Sequence, residues 1–534
     1  MSLRLSFHGA ARTVTGSCFR LETEHGQVLI DCGLFQGSKS EKELNYRPFP
    51  FPPNGITAVV LSHAHIDHSG LLPRLVKAGF RGPIYATPAT TDLAGVMLPD
   101  SAHIQEIEVE QLNKRNAQRG RKPVEPIYVA ADAVACLERF RVVPYATWFD
   151  VSPDVKARLW NAGHLLGSAS VEVEIRDVDV DRPLRILFSG DIGPNFKLLH
   201  PDPEAPRDLD YVACEGTYGD TNRADATAAS RRIVLRDEVR AAQNPNGALL
   251  IPSFAVERAQ ELISDLVQLM DESGLPTIPI YVDSPLATKA SRVFADHAAD
   301  LDEGEHLIRG LNSRNVHFTE TVEQSKALDH LQGFHIVIAA SGMCEAGRIR
   351  HRLKNWIWRD EATVLLVGFQ AQGTLGRILQ DGATAVRIQG EEFKVRARIR
   401  SIDLYSGHAD GPELADWIGK RLPIHQNLFL VHGEERALFG LQARLNGIVE
   451  SDKMVLPAID ETFELTARGA YRVKSPVPPR IDCQKMAHLD WHNDVSRLIL
   501  DINDALAAAA DEKTRAVLIR RLRRTLDEVA SAAD

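Results

Sequence analysis

Six consecutive residues, His63-Ala64-His65-Ile66-Asp67-His68, carry three imidazoles and a carboxylate. At this chain's own His and acid frequencies such a segment arises by chance about 0.003 times. Imidazole and carboxylate suit zinc and other borderline divalent ions. Four ligands packed this closely cannot readily all reach one tetrahedral ion, so the spacing favours two neighbouring ions. Three more groups of the same chemistry stand further on: His164 in AGHLLGSAS, Asp191 in FSGDIG and His432 in FLVHGE. Each is weak alone, since a single His near a strand usually serves the core. Together they make seven candidate ligands, enough for two ions sharing one carboxylate. Two such ions lower the pKa of a water toward 7 and stabilise charge on oxygens in transit, which is the chemistry of hydrolysis.

These residues must be held by something, and the apolar pattern says what. Ala58–Leu61 runs into the His-rich segment, and Leu184–Phe188 runs into SGDIGPN. Ala248–Ile251, Ile278–Val282, His335–Ala340, Thr363–Val367 and Leu428–Val431 are also short apolar runs, each followed by a polar or Gly-rich loop and a helical pattern. Continuous apolar runs indicate strands buried on both faces. Repeated strand–loop–helix units indicate an α/β architecture, whose ligands bind beyond the carboxyl ends of the strands. The candidate ligands sit at those ends.

The chain has 534 residues, 44% hydrophobic and 25% charged, with a net charge of −10. That balance excludes adhesion to nucleic acid by bulk positive charge; any such binding needs local patches or metal ions. The six cysteines form no CxxC pair and read as buried thiols of a reducing compartment. The N-terminus has no apolar leader core, and no run approaches the roughly 18 apolar residues that span a bilayer. The expected location is cytoplasmic, with no membrane partner. Residues 113–123 (NKRNAQRGRKP) read as an exposed connection and 474–481 (KSPVPPRI) as a linker. Val495, Leu498, Ile502 and Leu506, then Val517, Leu518, Leu522 and Leu526, predict a C-terminal helical hairpin. The basic runs RIRHRLKNWIWR (348–359) and KVRARIR (394–400) are either nucleic-acid tracks or solvated faces, and RRLRR (520–524) reads as a helix exterior.

The HxHxDH segment, His164, Asp191 and Asp31 in VLIDCG resemble the metallo-β-lactamase superfamily. CEGTYGD, VDSPLA (282–287), SGHAD (406–410) and VHGE (431–434) resemble its β-CASP branch of RNA- and DNA-processing nucleases, over about residues 1–470. The resemblance implies an α/β fold: a metallo-β-lactamase αββα sandwich with an inserted α/β β-CASP domain and a C-terminal helical extension. The implied boundaries are 1–215 and 401–470 for the sandwich, 216–400 for the insertion and 471–534 for linker and extension. It implies one zinc on His63, His65 and His164, a second on Asp67, His68 and His432, and Asp191 bridging them. Manganese is the alternative ion. Asp31 is implied as a supporting residue that positions the metal loop. His408 is implied as general acid, oriented by Glu215; an imidazole suits proton transfer near neutral pH.

The loop ASGMCEAGR resembles one that touches the RNA backbone, which nominates Ser341, Gly342 and Met343. Free N–H groups at a Gly-rich helix start favour phosphate. PSFAVERAQE and FQAQGTLGR resemble cleft-lining segments, nominating Ser253, Phe254 and Thr374, and Asp283 matches a supporting acidic position. Two departures stand out. Ala346 occupies a position where a glycine is expected, and Gly216 one where Ser or Thr follows Glu215. The resemblance implies a two-zinc ribonuclease that attacks single-stranded RNA with hydroxide, as endonuclease, 5′-to-3′ exonuclease or both, and works as a homodimer. In the family a His at the position of His432 goes with RNA. The competing readings are a DNA nuclease of the same superfamily, a small-molecule metallo-hydrolase, and a non-catalytic RNA-binding subunit.

Overall fold

The computed structural model describes residues 3–176, 182–195, 197, 199–223, 227–272, 275–370, 373–474, 478–481, 502, 505–506 and 508–531. Met1–Cys483 form one compact unit and Gln484–Asp534 a second.

The first unit opens with β1 (Arg4–Phe7), β2 (Phe19–Glu22), β3 (Gln27–Ile30), β4 (Ala58–Val60), β5 (Ile84–Ala86) and β6 (Phe140–Val142). Next come β7 (Phe149–Ser152), β8 (Val155–Asn161), β9 (Ala169–Ile175), β10 (Leu184–Phe188) and β11 (Leu209–Glu215). An inserted segment follows with β12 (Ala248–Pro252), β13 (Ile280–Asp283), β14 (Val316–Phe318), β15 (His335–Ala339), β16 (Thr363–Leu366), β17 (Ala385–Ile388), β18 (Glu391–Lys394) and β19 (Arg398–Ser401). The chain then returns through β20 (Ile424–Val431), β21 (Met454–Val455), β22 (Glu461–Thr466) and β23 (Gly469–Val473).

Two sheets make the sandwich, in the orders β23-β22-β1-β2-β3-β4-β5-β6 and β21-β20-β11-β10-β9-β8-β7. Their inner faces meet through aromatic rings: Phe7 lies 5.1 Å from Phe429, and Phe19 stacks on Phe188 at 5.8 Å. Leu72, Leu75, Leu93 and Leu98 from helices Leu72–Lys77 and Pro88–Gln118 cover the outer face of the first sheet. Leu414, Ile418, Leu438 and Leu441 from helices Gly411–Gly419 and Glu435–Arg444 cover the second. This is the expected αββα sandwich.

The insertion builds its own sheet, β14-β13-β15-β12-β16-β19, parallel throughout. Its strands are apolar on both faces because both are covered. Leu249 and Ile251 point to helices Ala228–Ala242 and Arg258–Glu272, while Ala248 and Leu250 point to helices Ile349–Trp356 and Leu375–Gln380. Burial at about 25 cal/mol per Å² of apolar area drives both layers together.

Two readings of the polar segments change. Residues 113–118 are the last turns of the 31-residue helix Pro88–Gln118, not a connection. Lys, Arg, Ala and Gln are good helix formers, and Lys114 pairs with Glu110 one turn back. Within 348–359, Arg352 is buried and ion-paired to Asp283 and Asp329, so this run is neither a nucleic-acid track nor a solvated face throughout. In 394–400 the exposed Arg398 and Arg400 lie on the sheet's edge strand, and Arg400 pairs with Glu238. The second unit contributes helix Glu512–Ser531, with Arg520, Arg521, Arg523 and Arg524 exposed; Val495 and Leu498 of the expected hairpin lie outside the described residues. Cys18, Cys32, Cys136, Cys214 and Cys344 are buried free thiols, and Cys483 is outside the described residues. No helix among the described residues is long and apolar enough to cross a membrane.

Candidate active site

Four strand ends converge where the two sheets of the sandwich meet. β4 leads to His63 and the short helix Ile66–Ser69, β8 to His164, β10 to Asp191, and β20 to His432. β11 pairs in parallel with β20, Glu215 opposite Val431, which sets Glu215 beside His432 although the whole insertion separates them in sequence.

The ligand-type atoms fall into two groups around one carboxylate. His63, His65, His164 and Asp191 have donor atoms within 4.8 Å of one another, as do Asp67, His68 and His432. Asp191 Oδ2 lies 3.5 Å from His63 Nε2 and 3.6 Å from His164 Nε2. Its Oδ1 lies 3.3 Å from His68 Nε2 and 3.5 Å from His432 Nδ1. Asp67 Oδ2 stands 3.6 Å from His432 Nε2. The carboxylate thus turns one oxygen to each group.

The donor set fits two ions on the polar bookkeeping of the site. Asp191 Oδ1 is buried and has no hydrogen-bond partner among the described residues. Ring nitrogens face one another: His63 Nε2 and His164 Nε2 stand 3.1 and 3.2 Å from His65 Nδ1, and His68 Nε2 stands 3.1 Å from His432 Nε2. Burial holds the pKa of His63 and His164 well below the ordinary value and pushes His65 down to about 4, so these imidazoles are neutral with lone pairs available. Burial raises Asp191, but His432, His68 and His408 outweigh it and keep the carboxyl ionised. For His68 burial is outweighed by Asp191 and Asp31, and for His432 by Asp191 and Asp67, so both are raised.

A surrounding layer fixes each ring. Asp31 accepts from His68 Nδ1 at 2.7 Å, from Ser62 N and Oγ at 2.8 and 2.9 Å, and from Ser17 Oγ at 3.2 Å. The Gly407 carbonyl accepts from His164 Nδ1 at 2.7 Å, leaving Nε2 toward Asp191. That approach needs glycine, since a Cβ on residue 407 would lie 2.9 Å from His164 Cε1. Thr217 Oγ1 donates to the His432 carbonyl at 3.0 Å and meets its Nδ1 at 3.1 Å. Gly216 stands where a hydroxyl residue is expected, and the hydroxyl comes one residue later. Lys197 donates to the His164 carbonyl and pairs with Glu257, which also accepts from His200 at 2.8 Å.

His408 flanks the cluster. Its Nδ1 lies 3.1 and 3.2 Å from the two oxygens of Glu215, and its Nε2 4.0 Å from Asp191 Oδ2. Glu215 is buried and also accepts from Ile192 N at 2.6 Å. Tyr405, three residues before His408, donates to Asp265 at 2.7 Å, and Arg231 holds the same carboxylate at 3.0 Å. A buried ionic network of the insertion therefore anchors the loop that carries His408.

The loops after β12, β15 and β16 behave differently. Ser253 is buried and donates to the Phe254 carbonyl. Ser341 Oγ accepts from Glu345 N and Ala346 N, and Thr374 Oγ1 caps helix Leu375–Gln380 by accepting from Arg377 N. These hydroxyls take part in shaping the loops. The glycine expected at 346 is met at Gly347, whose φ of 72° suits glycine and whose Cβ would strike the Ala340 carbonyl. Helix Ile349–Trp356 starts well past Gly342 and Met343, so those two lie on a loop and not at a helix start. Asp283 ends β13 and accepts from Arg348 at 3.0 Å, Thr319 at 2.7 Å and Ser325 at 3.0 Å, pinning that loop from behind. Phe254 is the exposed member of the group, its ring against Gly342.

Sequence reasoning missed Ser62, Thr217, Gly407 and Lys197. Thr217 and Gly407 lie inside segments whose pattern was legible, but their roles run through a hydroxyl and a backbone carbonyl, which residue type does not announce.

Comparison with known proteins agrees with this geometry. Family models match residues 11–253 (Metallo-beta-lactamase superfamily), 259–379 (Beta-Casp domain) and 392–456 (Zn-dependent metallo-hydrolase RNA specificity domain). The chain is 36% identical over 444 residues to Ribonuclease TTHA0252 of Thermus thermophilus, covering 82% of this chain and 95% of that protein. It is 30% identical over 454 residues to Transcription termination factor FttA of Methanosarcina mazei, covering 82% and 68% respectively. With three models in order along the chain and a relative matched over nearly its full length, the chain belongs to the β-CASP family of the metallo-β-lactamase superfamily of metal-dependent hydrolases.

Proposed function

We propose that this chain is a two-zinc ribonuclease that hydrolyses phosphodiester bonds of single-stranded RNA in the cytoplasm. The observation that carries the reading is Asp191, set between two ligand groups with the His408–Glu215 pair alongside. The ribonuclease relative and the match to an RNA specificity domain support RNA as the substrate class. We assign residues 1–215 and 401–470 to the sandwich domain, 216–400 to the β-CASP domain and 471–534 to linker and extension.

His63, His65 and His164 would hold one ion, Asp67, His68 and His432 the other, with Asp191 between them. When bound, the pair supplies Lewis acidity toward phosphate oxygens and an activated water at neutral pH. The protein's own groups do the rest. Asp31, Thr217 and the Gly407 carbonyl fix the rings so that the ligand nitrogens converge, as outer partners do in metal sites generally. Glu215 accepts from His408 Nδ1, which leaves Nε2 as the end that hands a proton to the departing ribose oxygen. Lys197 and the Tyr405–Asp265–Arg231 network keep the two sides of the cleft in register. Phe254, Gly342 and Met343 are assigned to contacts with the RNA.

The test is cleavage of matched single-stranded RNA and DNA, labelled at the 5′ end, by wild type beside Asp67→Ala. RNA cleavage abolished by the substitution is the expected result, and the product ladder separates internal cuts from end-trimming. Cleavage of DNA alone would make the chain a DNA nuclease. No cleavage of either, by protein carrying two metal equivalents, would overturn the nuclease reading.

A further inference from the structure

We infer that Phe369 is a stacking platform for an unpaired nucleobase next to the scissile phosphate. The inference rests on the ribonuclease reading above and deepens it, because it names what the cleft recognises besides phosphate.

The loops after β12 and β16 leave adjacent parallel strands at the same sheet edge. Several aromatic side chains in this half are buried; Phe294, Tyr405 and Trp356 are each no more than 3% exposed. Yet Phe254, in the loop after β12, is 40% exposed and Phe369, in the loop after β16, is 37% exposed. Single exposed apolar residues need no explanation. An exposed phenylalanine in each of two neighbouring loops, at the edge where an α/β sheet binds its ligand, does call for one.

Phe369 is tied to the site across the cleft. Its ring meets Tyr218 edge-to-face, with centroids 5.9 Å apart and planes at 86°. Tyr218 follows Glu215 on the sandwich side, and its ring stands 6.1 Å from that of His408. Tyr218 is itself buried, with the Arg223 guanidinium 4.1 Å from its ring centre. Arg223 also donates to the His408 carbonyl at 3.3 Å. The edge-to-face contact fixes the Phe369 ring without covering it. Its 37% exposure leaves part of the ring open to solvent.

The chemistry that matches an exposed ring held two aromatic contacts from the proton donor is a flat π-face. Every nucleobase offers one, so such a platform tolerates any sequence. A base inside a duplex is already covered by its stacking neighbours, so the platform selects single strands. No charge is needed, which suits a chain with a net charge of −10.

The experiment uses full-length wild type, Phe369→Ala, Phe369→Leu and Phe369→Trp in single-turnover titrations of one labelled RNA. In parallel substrates a single abasic nucleotide is moved stepwise past the cut. Phe369→Ala and Phe369→Leu are expected to raise the half-saturating RNA concentration about 5- to 100-fold, the range of one lost base–aromatic stack. Phe369→Trp restores it. One abasic position weakens wild type by the same factor and leaves Phe369→Ala unaffected. Independently of cleavage, 2-aminopurine at that position loses fluorescence on binding wild type but not Phe369→Leu. An abasic penalty equal in wild type and Phe369→Ala, or Phe369→Leu performing as wild type, would overturn the platform while the ribonuclease reading stands. Wild type that neither binds nor cuts the RNA would overturn the ribonuclease reading first.

Discussion

The cluster around Asp191 and the loop group around Gly342 use their polar side chains differently. In the cluster, ring nitrogens stand nose to nose at 3.1–3.2 Å, and a buried carboxylate oxygen has no hydrogen-bond partner among the described residues. In the loop group the hydroxyls of Ser253, Ser341 and Thr374 are consumed by neighbouring backbone, and a phenylalanine ring is exposed. A buried polar group without a partner costs roughly 1–3 kcal/mol. In the cluster a bound ion would complete that oxygen and the facing ring nitrogens. The cluster is built to receive something charged; the loop group is built to keep a shape.

Substitutions can break or sharpen that contrast. The largest effect is expected at His408→Ala: kcat for RNA falls about 10²- to 10⁴-fold, the usual contribution of a positioned proton donor. Metal content by mass spectrometry stays at the wild-type level, and its loss would show that His408 holds metal instead. Next, Asp283→Ala leaves Arg348 and Arg352 without their shared buried carboxylate. Breaking a buried pair costs about 3–5 kcal/mol, seen as a lower urea midpoint. Metal content per folded molecule is unchanged if the loop side only keeps shape. The smallest is Asp31→Asn, which weakens the hold on His68 and should reduce metal affinity or activity about 10- to 100-fold. An Asp31→Asn protein with wild-type affinity in a chelator competition would mean that Ser62 alone orients the ring.

Much of the cluster was legible before the structure because ligand chemistry is written in side-chain type. Few residues besides His and Asp can do what His63, His164 and Asp191 do, and His63 and Asp191 each follow an apolar run that reads as a strand. The loop group was less legible. A Ser in a Gly-rich segment looks the same whether its hydroxyl faces substrate or caps its own backbone, as Ser341 does. The basic run at 348–359 was misleading for a related reason. Arg348 and Arg352 find Asp283 more than sixty residues earlier, and no local pattern distinguishes a buried ion pair of that reach from a solvated face. Thr217 is hidden by its neighbour: the pattern places a hydroxyl at Gly216, whereas the one that meets His432 belongs to the next residue.

The parallel pairing of β11 with β20 has a consequence for how the enzyme comes into being. Glu215 and His432 are neighbours in space, but the ribosome makes the entire insertion between them. A nascent chain that has emerged through residue 400 possesses His63, His65, His164 and Asp191, yet lacks both His408 and His432. Contacts of such long sequence separation form late. His63, His65, His164 and Asp191 are therefore made well before His408 and His432, and the whole cluster comes together only with the last strands of the sandwich.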